Sequence, residues 1–201
     1  MVIVKPNLSS ALEKLRLFVN KTVVLDDTIW KDFSNIWELH ISKRKDIITD
    51  AGEKENYLYF VLDGIQRVFH TSESGREATL VLSYPPSFAG ILDAMMLEQK
   101  SKYYFESLTP SVFIKAKYID VKKLMEKHPS INLFVLKGVS QALSGVLERV
   151  VELQVCSSEE KFRILLKRSP HILQLIPHKY IASYLGIDAS NFSKLLNNVK
   201  I

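Results

Sequence analysis

A chain of 201 residues that is 47% hydrophobic, 10% aromatic and 24% charged is long enough to bury a sizeable core, and its composition excludes disordered, collagenous and coiled-coil fibre classes. Its formal charge of +5 is unevenly placed: residues 157–201 hold seven Lys or Arg against three acids, whereas the preceding 156 hold twenty against nineteen. A basic excess gathered into a short segment suits a polyanionic partner. Cys156 is the single cysteine, so an intrachain disulfide, a Cys-rich zinc site and a four-thiolate iron–sulfur cluster are excluded within the chain, and a reducing cytoplasm is expected. Met1–Ser10 lacks an apolar leader, and no window approaches about 18 consecutive apolar residues, so neither export nor a membrane span is expected.

Residues 9–36 read as short helices, with Leu12, Leu15 and Phe18 and then Ile29, Phe33 and Ile36 at helical spacing. From Trp37 to Ala116 the apolar residues fall instead into seven short runs: Leu39–Ile41, Ile47–Ile48, Tyr57–Leu62, Arg67–His70, Ala78–Leu82, Tyr103–Phe105 and Val112–Ile114. Asp50-Ala-Gly52, Asp63-Gly64, Ser74-Gly75 and Pro85-Pro86 separate some of them with turn chemistry. Many short strands at such spacing predict a sandwich or roll.

After Lys117 the pattern is helical, with a break at His128-Pro129. Ser130–Val155 is the most organised helix. Val139, Val146 and Leu153 recur every seven residues, interleaved with Val135 and Ala142, and Leu136, Leu143 and Val150 form a second row beside them. One row is expected to pack on the chain's own domain and the other on a second copy, with Gly138, Ser144 and Gly145 permitting close approach. Ser157-Ser-Glu-Glu160 is a capping box that starts the next helix, and Pro170 ends it.

The stretch Pro177–Leu196 predicts two short helices around a tight turn. Ile181, Ala182 and Leu185 form the apolar face of the first, Gly186 makes the reversal, and Asp188 caps the second, which buries Phe192, Leu195, Leu196 and Val199. Opposite lie Ser190, Asn191, Ser193, Lys194 and Asn197, small, polar and free of acids. Amides and hydroxyls can exchange hydrogen bonds with base edges, and Lys194 can neutralise a phosphate or contact guanine. His178 and Lys179 are placed to touch the duplex backbone.

The order of parts resembles the Crp/Fnr family of bacterial transcription regulators over nearly the whole chain. The motifs that carry the resemblance are Tyr59-Phe-Val-Leu-Asp-Gly64 with Arg67-Val68, Ser87-Phe-Ala-Gly90 before a short helix, and Ile181-Ala-Ser-Tyr-Leu-Gly-Ile187. The block Ser169–Ile187 is similar to a branch of that family often met in Bacteroidetes. The resemblance implies an α+β architecture: an N-terminal double-stranded β-helix (jelly roll) of the cyclic-nucleotide-binding type over residues 1–128, a dimerisation helix over 129–156, and a small winged helix-turn-helix over 157–201. It also implies a cytoplasmic homodimer on double-stranded DNA, acting with RNA polymerase.

Members that bind cyclic AMP carry a glutamate after the roll's glycine and, about ten residues on, an arginine for the cyclic phosphate. Here Ile91 follows Gly90, and no arginine occurs from Gly90 to Leu108. Ser101 or Lys102 lacks the guanidinium fork. Cyclic AMP is therefore not expected as effector. An unidentified apolar or aromatic small molecule is the candidate, with Phe88, Gly90, Ile91, Ser101, Lys102, Tyr103 and Tyr104, and Met95 and Met96 beside them, around the cavity; the opposite reading is that these residues simply fill it. Any wing must come from residues 169–177, because the sequence stops at Ile201.

Two other classes compete. A cupin-type enzyme shares the roll but needs clustered metal ligands, and His40, His70, His128, His171 and His178 lack that spacing, so neither catalysis nor a metal is expected. No glycine-rich phosphate loop occurs, nothing singles out a haem ligand, and no cofactor is expected. The alternative to a DNA-binding regulator is a degenerate effector-binding dimer that acts through a protein partner.

Overall fold

A computed structural model describes residues 7–198; Val199 and Lys200, counted above, lie outside them. Helices α1 (Leu8–Asn20) and α2 (Asp27–Ser34) open the chain. Each begins on a side-chain cap, the Ser9 amide donating to Asn7 Oδ1 at 3.1 Å and the Ile29 amide to Asp26 Oδ1 at 2.9 Å.

Eight strands follow: β1 (Trp37–Ser42), β2 (Ile47–Thr49), β3 (Tyr57–Asp63), β4 (Gln66–Thr71), β5 (Glu77–Ser83), β6 (Ser87–Ala89), β7 (Tyr104–Ser107) and β8 (Ser111–Lys117). They make two four-stranded antiparallel sheets, ordered β1-β8-β3-β6 and β2-β7-β4-β5, with the short helix α3 (Leu92–Met96) between β6 and β7. The seven predicted runs correspond to β1–β5, β7 and β8. The additional β6 is only three residues long and pairs Phe88 with Phe60. Gly64 is obligatory at the β3–β4 turn: its φ is +86°, and a Cβ there would lie 2.5 Å from the Pro110 carbonyl oxygen.

Tyr59, Val61, Val68, Ile91, Phe105 and Phe113 fill the space between the sheets. The outer face of the β1-containing sheet packs Phe60 and Ile114 against α1, α2 and the start of the long helix through Leu15, Phe33 and Phe134. That helix, α5 (Pro129–Val155), follows α4 (Tyr118–Lys127) after an extended residue at His128.

Alpha-5 departs from the expectation that one of its rows packs on its own domain. Its buried residues are Ile131 and Phe134 near the start and Arg149 and Glu152 near the end. Between them most of both rows is bare: Leu136 is 59% exposed, Leu143 58% and Val146 51%, while Val139 is half-buried. Only Val135, from the predicted seam, packs against the roll's outer cluster. The helix contacts the chain's other parts at its two ends and leaves its middle uncovered.

The rest forms a helical head: α6 (Ser158–Arg168), α7 (Ile172–Leu175), α8 (His178–Leu185) and α9 (Ala189–Asn198). The capping box is present, with the Ser157 amide donating to Glu160 Oε2 at 2.7 Å and the Glu160 amide to Ser157 Oγ at 3.2 Å. The expected wing is corrected. Residues 169–177 contain the single helical turn α7 and no strand, and the burial of Ile172 and Ile176 in the head core accounts for the turn.

The head core continues into the roll through Ile65 and Leu108. Helix α8 docks along β5, where the Thr79 amide donates to Ser183 Oγ at 2.9 Å. Arg67, 3% exposed on β4, bridges the two parts. It is ion-paired with Glu106 at 2.6 Å and Glu77 at 2.7 Å, and its guanidinium lies 3.8 Å from the centre of Phe69 and 4.4 Å from that of Tyr180 on α8. A second bridge ties α8 to α5: Arg149 pairs with Glu152 at 3.0 Å, donates to the Tyr184 carbonyl oxygen and covers the Tyr184 ring at 4.3 Å, while Arg168 of α6 bonds the same Glu152. The head is thereby held in one orientation to both roll and long helix.

Candidate nucleic-acid interface and sensor interior

Helix α9 is amphipathic because its apolar residues recur at helical spacing: Phe192 and Leu195 are buried and Leu196 packs partly against them. Phe162 of α6 meets Phe192 edge-on at 5.5 Å between ring centres, which fixes the rotation of α9 about its axis. Gly186, in the left-handed conformation at φ +63°, ends α8 and turns the chain into it. Asp188 caps α9 by accepting from the Asn191 amide at 2.8 Å. The Ser190 hydroxyl, at 2.6 Å, and then that amide hold the Asp188 carboxyl below its ordinary range.

With the core face so fixed, Ser190, Ser193, Lys194 and Asn197 are exposed together. Asn191 departs from the expectation: it is half-buried, and its amide nitrogen donates to Ser158 Oγ of α6 at 3.2 Å, because its position turns toward the α6 start. The exposed hydroxyls are engaged locally, Ser190 on Asp188 and Ser193 on the Ala189 carbonyl oxygen at 2.9 Å. Hydroxyls rotate, so both keep acceptor lone pairs for a ligand. His178 and Lys179 are exposed at the start of α8; the His178 ring lies 5.8 Å from Phe192, and the Lys179 ammonium 4.7 Å from the Tyr180 ring centre.

The dimer-helix residues are placed differently along α5. Val135 packs partly against the roll, Val139 is half-buried, Ala142 and Val146 are exposed, and Leu153, 45% exposed, lies under the head's turn, 3.2 Å from where a Cβ on Gly186 would stand. By length and composition alone α5 would also suffice to cross a membrane.

The residues proposed to line an effector pocket do not converge on one cavity. Ile91 is 2% exposed within the roll interior, and Tyr103 packs at its edge. Gly90 has φ +123°, and a Cβ on it would meet the Tyr57 carbonyl oxygen and the Tyr59 ring at 3.5 Å. Ser101 is buried with its hydroxyl turned onto the Tyr103 backbone, donating to the carbonyl oxygen at 2.8 Å and accepting from the amide at 2.9 Å; Lys102 is exposed. Two assignments are corrected by strand alternation. Phe88 faces outward, packed edge-on or tilted among Phe18, Phe60, Trp37 and Phe134. Tyr104 lies on the outer face of the other sheet, parallel to Phe69 at 5.0 Å, on the side that carries Arg67.

Glu55, a residue without a motif in the sequence, is 5% exposed below Gly90. It accepts from Thr49 Oγ1 at 2.8 Å and the Tyr57 amide at 3.1 Å, and burial pushes its carboxyl up, as it does the Tyr59 hydroxyl. Met95 lines a separate surface cleft of about 360 Å³ that also holds Glu55, Tyr118 and Lys122. Among the described residues no group of three or more His, Cys, Asp or Glu is placed to hold a metal ion.

Residues 40–128 match the cyclic nucleotide-binding domain family. The chain is similar to the global nitrogen regulator of Synechocystis, 22% identical over 169 residues that make 78% of this chain and 75% of that protein. Among solved structures it resembles FixK2 of Bradyrhizobium japonicum, with a TM-score of 0.74 at 15% identity over 81% of this chain and 83% of that one. It also resembles CLP of Xanthomonas campestris, described as a c-di-GMP responsive global regulator, with a TM-score of 0.64 at 14% identity over 86% and 90% of the two chains. Residues 40–128 are thus similar to cyclic nucleotide-binding domains, the fold of a β-sandwich joined to a long helix is shared with these solved structures, and the Synechocystis protein and CLP are described as global regulators.

Proposed function

We propose that the chain is a homodimeric, DNA-binding transcription regulator of the Crp/Fnr type, working in the cytoplasm with RNA polymerase, in which α8, the Gly186 turn and α9 form the helix-turn-helix. The observation that carries this reading is the acid-free face of α9: Ser190, Ser193, Lys194 and Asn197 stand exposed while Phe192 and Leu195 bury the opposite side. Such a helix can enter a major groove with its amides and hydroxyls at base edges, while His178 and Lys179 meet the backbone. A second copy seated on the bare middle of α5 would cover Val139, Ala142 and Val146 and repeat the head about the twofold axis. Residues 1–128, 129–156 and 157–201 then act as sensor, dimer helix and head.

The signal is allosteric. The bridges at Arg67 and Arg149 make the position of α9 depend on the roll and on α5, so a change in either moves the spacing of the paired recognition helices. Only a ligand that binds one arrangement better than another can shift that balance. Cyclic AMP is not expected to be that ligand, because no arginine occurs from Gly90 to Leu108 to grip its phosphate, and the Ser101 hydroxyl is turned onto its own loop.

The test is selection of bound fragments from sheared genomic DNA by the purified protein, with and without cyclic AMP. The expected result is an inverted repeat whose half-sites lie about one helical turn apart, retained equally in both conditions. Recovery with no common sequence would contradict DNA recognition, and retention that depends on cyclic AMP would contradict the effector reading.

A further inference from the structure

We infer that the cleft between α3, the start of α4 and the β2–β3 loop is a binding site for a small aromatic carboxylate, a molecule of one or two fused rings that carries a single acid group. None of the residues proposed above for an effector pocket lines it, and it does not depend on the DNA-binding reading. Its volume of about 360 Å³ falls at the lower end of the range for ligand pockets, roughly 300–1,000 Å³, which sets the size of the molecule. A crease between a helix and a loop is ordinarily a solvated seam. Walls and rim distinguish this one.

The walls are aromatic and apolar. Tyr57 opens β3 and Tyr118 opens α4, both half-buried, and Met95 of α3 is 4% exposed. Their frame is tied together: the Tyr118 amide donates to the Asn56 carbonyl oxygen at 2.9 Å, and the Tyr57 amide to the buried Glu55 carboxylate at 3.1 Å. The loop before Glu55 is laddered to the segment after α3. There the Gly52 amide donates to the Ser101 carbonyl oxygen and the Ser101 amide to that of Glu53, each at 2.8 Å. Two phenol rings and a thioether on such a frame suit the faces and edges of a flat ring. Burial also pushes the Tyr118 hydroxyl up, which keeps it a neutral donor.

The rim is cationic. Lys54, Lys117 and Lys122 line it, and among the described residues only Lys122 of these three is ion-paired, with Glu98 at the end of α3. The bond from Lys122, the charge of that ammonium and that of Lys54 together hold the Glu98 carboxyl below its ordinary range. Glu98 carries this carboxylate at φ +52°, a left-handed backbone uncommon for a long side chain and of the kind that gathers at ligand sites. The rim therefore already accepts a carboxylate, and the one that fills it belongs to the chain itself. A ligand's acid group would take that place on Lys122 and Lys54, with its ring against Tyr57, Tyr118 and Met95.

Equilibrium dialysis of the purified full-length protein against indole-3-acetate, 3-methylindole and acetate tests the site. Indole-3-acetate is expected to be retained with a dissociation constant on the order of 0.1 mM. The other two, each offering only the ring or only the acid, should bind at least about tenfold more weakly. Replacing Lys54 and Lys122 together by glutamine is expected to weaken retention of indole-3-acetate by about tenfold or more, with circular dichroism unchanged. Glu98→Gln keeps the length of the side chain but removes the competing carboxylate. It should tighten retention about threefold or more, whereas loss of a merely structural ion pair would loosen it or leave it unchanged. Retention of indole-3-acetate that is absent, insensitive to the double lysine substitution, or not tightened by Glu98→Gln overturns the inference, as does equal retention of 3-methylindole or of acetate. The head reading is tested separately, by operator selection, and stands or falls apart from these results.

Discussion

Replacing Val139 and Val146 together by aspartate is expected to give a monomer in sedimentation equilibrium, at concentrations where the wild type is expected to sediment as a dimer. The two valines lie one above the other, two turns apart, in the middle of α5, where Val139 is half-buried, Val146 is 51% exposed and its neighbours Leu143 and Leu147 are each 58% exposed. A second copy would remove these side chains from water, at roughly 25 cal/mol per Å² of apolar surface. Each buried valine contributes on the order of 1.5 kcal/mol, four of them about 6 kcal/mol, which corresponds to roughly four orders of magnitude in dissociation constant before the cost of burying four carboxylates is added. Because neither position anchors the roll or the head, circular dichroism should be unchanged. A dimer that survives the double substitution refutes the seam.

Lys194→Glu is expected to abolish retention of the selected operator in a gel shift while leaving the fold intact. The side chain is exposed one helical turn from both Ser190 and Asn197, so reversing its charge disturbs no core contact. In the dimer two phosphate or guanine contacts are lost and two carboxylates face the duplex. At about 1–3 kcal/mol for each contact, affinity falls by at least roughly thirtyfold before the carboxylate repulsion is added. Lys194→Gln, which removes attraction without adding repulsion, should fall between, with a shallower salt dependence than the wild type. Unchanged retention by Lys194→Glu contradicts the assignment of α9 as the recognition helix.

Turn chemistry and spacing made much of this architecture legible in the sequence. Ser74-Gly75 marked the real β4–β5 hairpin turn, whereas Asp63-Gly64, also at positive φ, carries the chain from one sheet to the other instead of closing a hairpin. The capping box at Ser157 located a helix start because its two bonds are local. What escaped the sequence depends on contacts between distant segments. Strand β6 is too short to carry a period, and without it the alternation that sends Phe88 outward could not be read. Tyr104 likewise belongs to the face that carries Arg67, which sequence alone does not distinguish from the interior. Residues 169–177 were expected to supply a wing, but Ile172 and Ile176 are drawn into the head core and coil the chain into α7. Asn191 fits the polar pattern of its helix, yet Ser158, on another helix, claims its amide. Along α5 the seven-residue repeat was visible, whereas the use of Arg149 and Glu152 to hold the head was not, since their partners Tyr184 and Arg168 lie elsewhere in the chain. Glu55 is a single carboxylate whose burial becomes apparent only when β2, β3 and the Gly90 loop are brought together.

In the dimer proposed above, two copies hold two recognition helices at a fixed separation on one side of a duplex. Hydroxyl-radical footprinting of the wild-type protein on the selected operator measures that separation directly. Two protected patches are expected, centred about 10 base pairs apart on one face of the DNA and equal in strength, both lost in the Val139→Asp/Val146→Asp variant. A single patch, or two patches on opposite faces of the duplex, would contradict that arrangement.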